Sequence, residues 1–397
     1  MRRIAVIGAG AAGCFCAAQL RRRIPEARVD VYEAGPKPLA KVAITGGGRC
    51  NLTNSFAGIR SLREAYPRGA NLMKRLLKSF SQEDTWRWFE AAGVPLVLQE
   101  DQCVFPQSQD AMQVVRALLH RMEGALIHCG KRVTRLTPDF TLSFADGTEA
   151  NADQVVVTTG GAPKGLPMLD SLGLEWVPAV PSLFTFTLRE EGLRSLMGLV
   201  VPAALSIPGT SFRSEGPLLL TDWGVSGPAV LKLSSYAARY LAEKKYSAPL
   251  SIHWLGLPEA ETRLLLQGIS ERNARKQVSN TPPNGLPSRL WLHLLGRAGL
   301  RDDIQWGEMG TRSLNRLVAV LMQDIYPIEG KTRFREEFVT CGGVALSNVD
   351  AATLECKKYP GLYFAGEVLD LDAITGGFNL QAAWSTGFAV AQAIASR

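Results

Sequence analysis

The sequence predicts an α/β fold, in which a parallel sheet in three layers is built from βαβ units and interrupted by an inserted lobe. Three observations predict it. Residues 4–20 read IAVIGAGAAGCFCAAQL, an apolar strand followed by a glycine turn and a helix. A second apolar strand then ends in an acidic residue, and a strand, a pair of glycines and a helix return within residues 362–395. This order is typical of a Rossmann-type domain.

The first glycine triad predicts a phosphate-binding turn. Gly8, Gly10 and Gly13 have G-x-G-x-x-G spacing between a strand and a helix. In that motif the first glycine permits the turn, the second lets the backbone approach a pyrophosphate, and the third lets the helix pack on the strand. Ala11 and Ala12 form the start of the helix, where free N–H groups favour an anion. We therefore expect an adenine dinucleotide here.

The second strand, residues 29–32, supports this expectation. It ends at Glu33, about 20 residues beyond the third glycine, where an acidic side chain meets the ribose of adenosine. Ala34 follows and is included in the expected binding site.

A glycine- and proline-rich loop at residues 35–54 ends in a dense polar cluster. Three successive glycines lose much conformational entropy when they are ordered. We expect bare backbone to lie against a flat or anionic ligand there, while a flexible surface loop is the alternative. The residues assigned to the ligand are Lys41, Thr45, Gly46, Gly47, Gly48, Arg49, Cys50 and Asn51.

The run TGGGRCNLTN, with a lysine shortly before it, resembles the signature of the BaiN-like flavoproteins, which include aminoacetone oxidase-like FAD enzymes. Thr45 stands where serine is usual. The segments VFPQS at 104–108 and TDWGVSGP at 221–228 resemble two further family segments. The resemblance implies that a glutathione-reductase-like Rossmann domain holds FAD along this loop. It also implies that the inserted lobe covers the flavin as a substrate lid.

Further contacts follow from the resemblance and from the strand pattern. The family contacts adenine through backbone atoms at the position of Val133. The apolar strand at 154–158 is typical of a strand buried on both faces. It ends in Thr159, Gly160 and Gly161, which we expect to be a second close approach of backbone to the dinucleotide.

The second strong anchor lies near the C-terminus. A buried strand ends in Gly366 and Glu367, and the resemblance implies that Glu367 holds a ribityl or phosphate-side hydroxyl. The final helix then opens on glycines, which the resemblance places beneath the pyrimidine edge of the flavin. Its N–H groups would stabilise negative charge that builds there on reduction. The residues assigned to the cofactor are Gly376, Gly377, Asn379, Leu380 and Gln381.

The predicted domain organisation has three parts. Residues 1–183 and 335–397 form the FAD-binding domain, 184–257 a β-rich inserted domain, and 258–334 a helical inserted subdomain. Strand-like alternation at 200–207 and 248–254 supports the β-rich part, and helical spacing to about Tyr326 supports the helical part.

Several local features complete the prediction. Helical spacing covers 71–92 and Gly93 is expected to end that helix. A second helix is expected from Ala111, with Ser108 as its N-cap. Trp86 and Trp88 are expected to be buried core residues, while stacking on a flavin is the alternative.

Composition limits the cellular setting and the partners. The seven cysteines are scattered without a C-x-x-C pair or metal-ligand spacing, which indicates reduced thiols in a cytoplasmic protein and no bound metal. No apolar run is long enough for a membrane span. The net charge of +7 is spread along the chain, so we expect a small-molecule substrate and regard nucleic acid as an unlikely partner.

The sequence therefore predicts an FAD-dependent oxidoreductase that transfers hydride through flavin N5. The family resembled includes members that reduce conjugated C=C bonds of steroid-like enones with NAD(P)H, and members that oxidise small amino ketones with oxygen. We favour the NAD(P)H-linked reductase of a small or steroid-like enone. With one dinucleotide motif, NAD(P)H would bind only transiently. The alternatives are an oxygen-using amine or amino-ketone oxidase, and an FAD-containing binding or redox-sensing protein without turnover. No catalytic acid or base is assigned.

Overall fold

The computed structural model describes residues 1–162, 165–283, 285–331 and 339–397. The chain divides into two compact units: unit 1 comprises Met1–Pro181 and Val339–Arg397, and unit 2 comprises Ser182–Phe338. The predicted boundary at 334–335 lies outside the described residues. No helix in the described ranges has both the length and the apolar character that a bilayer span requires.

The strands are β1 Arg3–Ile7, β2 Arg28–Glu33, β3 Thr53–Asn54, β4 Leu96–Leu98, β5 Cys103–Pro106, β6 Leu126–Cys129, β7 Val133–Leu136, β8 Thr141–Phe144, β9 Glu149–Asn151, β10 Gln154–Val157, β11 Trp176–Ser182, β12 Phe186–Thr187, β13 Val200–Ser206, β14 Arg213–Thr221, β15 Gly224–Ser226, β16 Ser247–His253, β17 Asp324–Glu329, β18 Val339–Val344 and β19 Leu362–Phe364.

The α-helices are α1 Ala11–Arg23, α2 Thr45–Gly48 (one distorted turn), α3 Leu62–Ala65, α4 Ala70–Leu76, α5 Gln82–Ala91, α6 Ala111–Arg121, α7 Glu191–Arg194, α8 Pro228–Tyr236, α9 Ala238–Glu243, α10 Glu259–Arg272, α11 Ser288–Arg297, α12 Thr311–Met322 and α13 Phe378–Ala395.

Unit 1 is organised around a five-stranded parallel sheet in the order β19-β10-β1-β2-β6. The residues of its central strands are buried on both faces. Helix α1 packs against the sheet, and Gly387 of α13 packs closely on Ala12 of α1. The antiparallel sheet β7-β8-β9 contacts β2, since the rings of Phe144 and Tyr32 lie 4.8 Å apart. The predicted Rossmann-type α/β class is confirmed.

Unit 2 is built on a six-stranded sheet in the order β12-β15-β14-β13-β16-β17. All of its pairings are antiparallel. Helices α8 and α12 pack against it, and α10 and α11 pack against α12. Leu205 of β13 and Leu294 of α11 belong to one hydrophobic core, so the strands and helices of this unit share a single interior.

Three local expectations differ from the structure. Residues 71–92 form two helices instead of one, because the Ser81 side chain caps a new helix and forms a capping box with Asp84. Asp110 is the N-cap of α6 instead of Ser108, since its carboxylate accepts the Met112 N–H at 2.8 Å.

The third difference is at the end of unit 2. Asp324–Glu329, expected to end a helical region, is a strand that pairs with β16 and alternates buried with exposed residues. Both tryptophans expected in the core are only half-buried, although the ring centroid of Trp88 lies 4.8 Å from that of Phe15.

Candidate functional site

The first three glycines are needed for two different reasons. A Cβ added to Gly8 would lie 2.5 Å from the Thr158 carbonyl oxygen, and one added to Gly13 would lie 2.0 Å from the Gly8 carbonyl oxygen. Both glycines are therefore required by packing within the protein. A Cβ added to Gly10 meets no atom within 4 Å. The backbone at Gly10 faces open space, where a ligand has room to approach.

The start of α1 faces the same space. Helix α1 begins at Ala11, and Gly10 caps it without a side-chain acceptor. The N–H groups of Ala11 and Ala12 consequently have no partner within the helix. Together with the helix dipole they form a site suited to a phosphate.

Glu33, at the end of β2, bridges the turn and the chain that follows. One of its carboxylate oxygens accepts the Ala9 N–H at 2.9 Å, and the other accepts the Gly35 N–H at 2.7 Å. Each oxygen keeps a second lone pair, so the carboxylate can still accept hydrogen bonds from ribose hydroxyls.

Val133 lies near the end of β2, where Glu33 is located. The Lys131 N–H donates to the Glu33 carbonyl oxygen at 2.9 Å, so the segment that leads into β7 at Val133 runs next to the end of β2. Ala34, between these contacts, is exposed.

The glycine-rich loop adopts the backbone that its composition predicts. Gly46, Gly47 and Gly48 have φ of 58°, 69° and 84°, the left-handed region that glycine adopts without strain. Added Cβ atoms at Gly47 and Gly48 would meet nothing within 4 Å. Thr45 shapes the loop, because its hydroxyl donates to the Val42 carbonyl at 2.8 Å.

The two cations of the loop have different surroundings. Arg49 folds back on the loop: its Nε donates to the Gly46 carbonyl at 3.2 Å and its guanidinium lies 4.5 Å from the ring centroid of Phe105. Lys41 is exposed and lies close enough to Glu367 to stabilise its charge. Lys41 is therefore the cation that faces the second half of the site.

Cys50 is buried with φ of 61°. Burial raises the pKa of its thiol to about 12. At neutral pH the thiol is protonated, so it is a weak nucleophile. This favours a non-covalent contact with any ligand in the site.

Glu367 is half-buried and lies beside Gly160 and Gly161. It accepts the Thr340 N–H at 2.7 Å and the Gly161 N–H. Burial raises the pKa of this carboxyl, while Lys41 and the two N–H groups oppose the rise. The adjacent Thr159 hydroxyl is buried without a hydrogen-bond partner among the described residues. An unsatisfied polar atom at this position is one that a bound ligand would satisfy.

The separate glycine segments lie side by side. Gly366, with φ of 78°, approaches Ala12 so closely that an added Cβ would be 2.8 Å from the Ala12 Cβ. The Asn51 amide oxygen accepts the Gly377 N–H at 3.2 Å. The Asn54 amide donates to the Gly376 carbonyl at 3.0 Å. Residues 8–13, the 46–54 loop and the 366–377 segment therefore border one region of unit 1.

The first residues of α13 have a structural role that the sequence did not reveal. The Gln381 side chain is fully buried, and its oxygen accepts the hydroxyls of Thr53 at 2.6 Å and Thr85 at 2.9 Å. Its amide nitrogen donates to Ser385 at 3.0 Å. Gln381 thus has no free polar atom for a ligand and instead fixes the loop against the helix start.

Two neighbours of Gln381 complete the helix start. Asn379 exchanges two hydrogen bonds with the backbone of Ala373, at 2.9 and 3.0 Å. Leu380 is half-buried. Gly377 caps α13 without a side-chain acceptor, which leaves the first N–H groups of the helix free.

An ion pair that the sequence did not predict holds the segment between Glu367 and Gly376. Arg68 donates through Nε to Asp372 at 2.5 Å, and the Asp372 side chain is fully buried. Asp372 follows Glu367 closely, but nothing in the sequence indicates Arg68 as its partner. The whole arrangement (open glycine backbone, two free helix N-termini, two acidic acceptors and an unsatisfied hydroxyl) fits a long diphosphate-linked nucleotide such as FAD.

Comparisons with known proteins agree with this geometry. Residues 2–393 match the family described as HI0933-like protein Rossmann domain. The chain is 30% identical to the ribosomal RNA dihydrouridine synthase of Escherichia coli, over 98% of this chain and 96% of that protein. It is 28% identical to the 3-dehydro-bile acid delta(4,6)-reductase of Clostridium scindens, over the full length of both.

A solved structure shows the same fold. The 3-ketosteroid delta1-dehydrogenase of Sterolibacterium denitrificans aligns over all of both chains with a TM-score of 0.51 and 14% identity. The flavoprotein resemblance noted in the sequence is confirmed by the family match. The protein therefore belongs to the HI0933-like Rossmann-domain family and is an FAD-dependent oxidoreductase.

Proposed function

We propose that the protein reduces a C=C bond conjugated with a carbonyl group, with NAD(P)H as the electron donor. One observation carries the proposal. The two relatives named above match over nearly the whole chain, and both names describe the same type of reaction. Dihydrouridine differs from uridine by two hydrogens across a C=C bond conjugated with a ring carbonyl. A 3-dehydro bile acid with 4,6 unsaturation has its C=C bonds conjugated with the 3-keto group.

Bound FAD supplies the hydride chemistry of such a reaction. The protein would bind and orient it. The N-terminus of α1 would hold the pyrophosphate beside Gly10, and Glu33 would accept ribose hydroxyls. Glu367 would accept a hydroxyl nearer the flavin, with Lys41 beside it. The free N–H groups at the start of α13 would face the pyrimidine edge and stabilise negative charge there.

The substrate has two candidates. A small or steroid-like enone is the candidate expected from the sequence, and the bile acid reductase supports it. A uracil ring in ribosomal RNA is the second candidate. The Escherichia coli relative favours it, as does a second enzyme of that name in Haemophilus influenzae at 28% identity. The net charge of +7 suits a polyanionic substrate, although charge spread along a chain is weak support.

The proposal is tested in two half-reactions. The FAD-loaded protein is mixed anaerobically with NADH or NADPH, and we expect the flavin band at about 450 nm to bleach. The reduced protein is then mixed with a 3-keto-4-ene steroid, or with ribosomal RNA transcripts that are analysed for dihydrouridine. Return of the yellow band together with saturated product identifies the substrate class.

Other results would contradict the proposal. Failure of both nucleotides to bleach the flavin, with turnover of an amine or amino ketone in air, would identify an oxidase. Lack of any reaction with all these compounds would favour a binding or redox-sensing protein.

A further inference from the structure

Unit 1 contains a basic cleft apart from the glycine segments. It has a volume of about 620 Å³ and lies between the end of α4 and the 346–351 segment. Three cations line it: Lys74, Arg75 and Lys78. Its apolar lining includes Leu346, Val349 and Ala351. We call this feature the basic cleft.

The positive charge of the basic cleft is largely uncompensated. Lys74 and Lys78 are exposed, and neither forms an ion pair with any residue that the structure describes. Arg75 interacts electrostatically with Asp350, which also accepts the N–H groups of Ala352 and Thr353. No acidic side chain lines the cleft itself.

Helix stability alone does not explain this arrangement. Cations in the last turn of a helix are favoured by its dipole, and Lys74 and Arg75 are in the last turn of α4. Lys78, however, lies beyond the end of α4 at Leu76. Lys78 nevertheless lines the same concave surface as Lys74, and the 346–351 segment forms the other side of that surface. Concave shape and like charge together indicate an anionic partner.

The basic cleft is connected to the candidate cofactor site by α4. Arg68, just before this helix, pairs with Asp372, and Gly69 is so close to Leu371 that an added Cβ would lie 2.5 Å from it. The first turn of α4 therefore rests on the segment between Glu367 and Gly376. The helix has seven residues and is about 10 Å long, which sets the separation of its two ends.

We propose that the basic cleft binds the phosphate backbone of a ribosomal RNA substrate next to the flavin site. This inference rests on the ribosomal RNA candidate of the proposed function. Lysine is well suited to phosphate, and each phosphate neutralised by lysine or arginine releases counterions. The apolar lining gives ribose and base edges a surface to contact. Backbone contacts of this kind position a nucleic acid without reading its sequence.

The test measures RNA binding separately from catalysis. Oxidised, FAD-loaded protein is titrated with labelled single-stranded fragments of ribosomal RNA, and fluorescence anisotropy is recorded over a series of salt concentrations. The variant Lys74→Gln/Lys78→Gln should bind roughly tenfold more weakly at moderate salt. Its slope of log K against log salt should be shallower by about 1.4, or about 0.7 for each of two lost phosphate contacts.

Matched variants make the result specific. Arg275→Gln/Lys276→Gln removes the same charge from exposed positions of unit 2 and should leave both affinity and slope nearly unchanged. Lys74→Arg/Lys78→Arg should keep wild-type binding. Absence of RNA binding by the wild type, equal losses in both glutamine pairs, or no loss in the cleft pair would each overturn the inference.

The two proposals fail in different ways. Flavin bleaching by NAD(P)H and steroid reduction need no RNA, and the cleft variant should leave both at wild-type rates. A protein that reduces an enone but binds no RNA would retain the proposed reaction and refute the basic cleft. A protein that binds RNA through the cleft but resists reduction by NAD(P)H would support the basic cleft as an RNA-binding site and refute the proposed reaction.

Discussion

Asp324 in unit 2 is a buried carboxylate and Glu367 in unit 1 is a half-buried one, and their surroundings differ. Asp324 accepts two hydrogen bonds from Arg297, at 3.0 and 2.7 Å, one from Trp254 at 3.1 Å and one from Tyr326 at 2.5 Å. A carboxylate has about four acceptor positions, so Asp324 is saturated by the protein. Glu367 has two identified N–H donors and lies beside Gly160 and the unsatisfied Thr159 hydroxyl.

The difference teaches that a buried charge does not by itself indicate a reactive site. The Asp324 cluster even includes a histidine, since His293 lies 3.1 Å from the Tyr326 hydroxyl. Burial lowers the pKa of His293 and raises the pKa of Tyr326, so both are neutral near pH 7. These groups form hydrogen bonds with one another, so their role is to stabilise unit 2. At Glu367, by contrast, acceptor capacity remains for a ligand.

The largest expected effect is on stability, and it tests the hydrogen-bonded cluster around Asp324. Asp324→Ala leaves Arg297 and two buried donors without their partner, and we expect a loss of about 3 kcal/mol in the free energy of unfolding. Urea denaturation measures it. Asp303→Ala is the control, because its ion pair with Arg301 is largely exposed and should contribute less than about 1 kcal/mol. Equal losses of unfolding free energy in the two variants would show that the buried cluster around Asp324 stabilises the protein no more than an exposed ion pair does.

The next effect tests the open backbone of unit 1. Gly10→Val should fold, since Gly10 has an ordinary φ of −85° and its added Cβ meets no protein atom. The branched side chain would occupy the space of the pyrophosphate, so FAD affinity should fall at least about a hundredfold, or about 3 kcal/mol. Gly13→Val is the matched control and should fail to fold. A fully yellow Gly10→Val protein would show that the cofactor lies elsewhere.

A smaller effect is expected at Glu367. Glu367→Gln removes a charged acceptor and should weaken FAD about tenfold, as expected for loss of one hydrogen bond to a charged group. Stability should change little, because the partial burial of that charge is itself unfavourable.

The pH dependence sharpens this prediction. The raised pKa of Glu367 means that its carboxyl takes up a proton at a higher pH than an ordinary glutamate. FAD affinity of the wild type should therefore decline as pH falls through that raised pKa, and the decline should be absent in Glu367→Gln. Fluorescence titrations at several pH values measure both, and parallel pH profiles would contradict the assigned role.

The smallest effect concerns Cys50. With the pKa of its thiol at about 12, it should resist alkylation of the native protein at about pH 8, whereas Cys129 is exposed and should react. Mass spectrometry after labelling identifies the modified cysteine. Flavin that stays attached to Cys50 after denaturation would refute the non-covalent contact.

Local patterns in the sequence predicted the parts of unit 1 that depend on neighbouring residues. The turn at Gly8 and the close packing at Gly13 both follow from the stereochemistry of glycine. The strand β10 was predictable because a continuous apolar run suits a strand buried on both faces. Each of these features requires only a short window of sequence.

Features that join distant parts of the chain were not predictable in the same way. Arg68 and Asp372 are separated by 304 positions, and Gln381 and Thr53 by 328. Gln381 was expected to contact the cofactor, a role that stays a prediction for its backbone, but its side chain is occupied by Thr53 and Thr85. Strand β17 was missed because the buried Asp324 interrupts the alternation of apolar residues.

The approach of Gly366 to Ala12 has a consequence for biosynthesis. Glycine segments that are more than 350 positions apart, as Gly366 and Ala12 are, must meet before the proposed nucleotide site exists. A ribosome that has not yet translated α13 carries a nascent chain with only half of that site. Coenzyme loading must therefore wait until α13 has been translated and packed against α1, and a premature stop before residue 366 should yield a colourless product whatever the flavin supply.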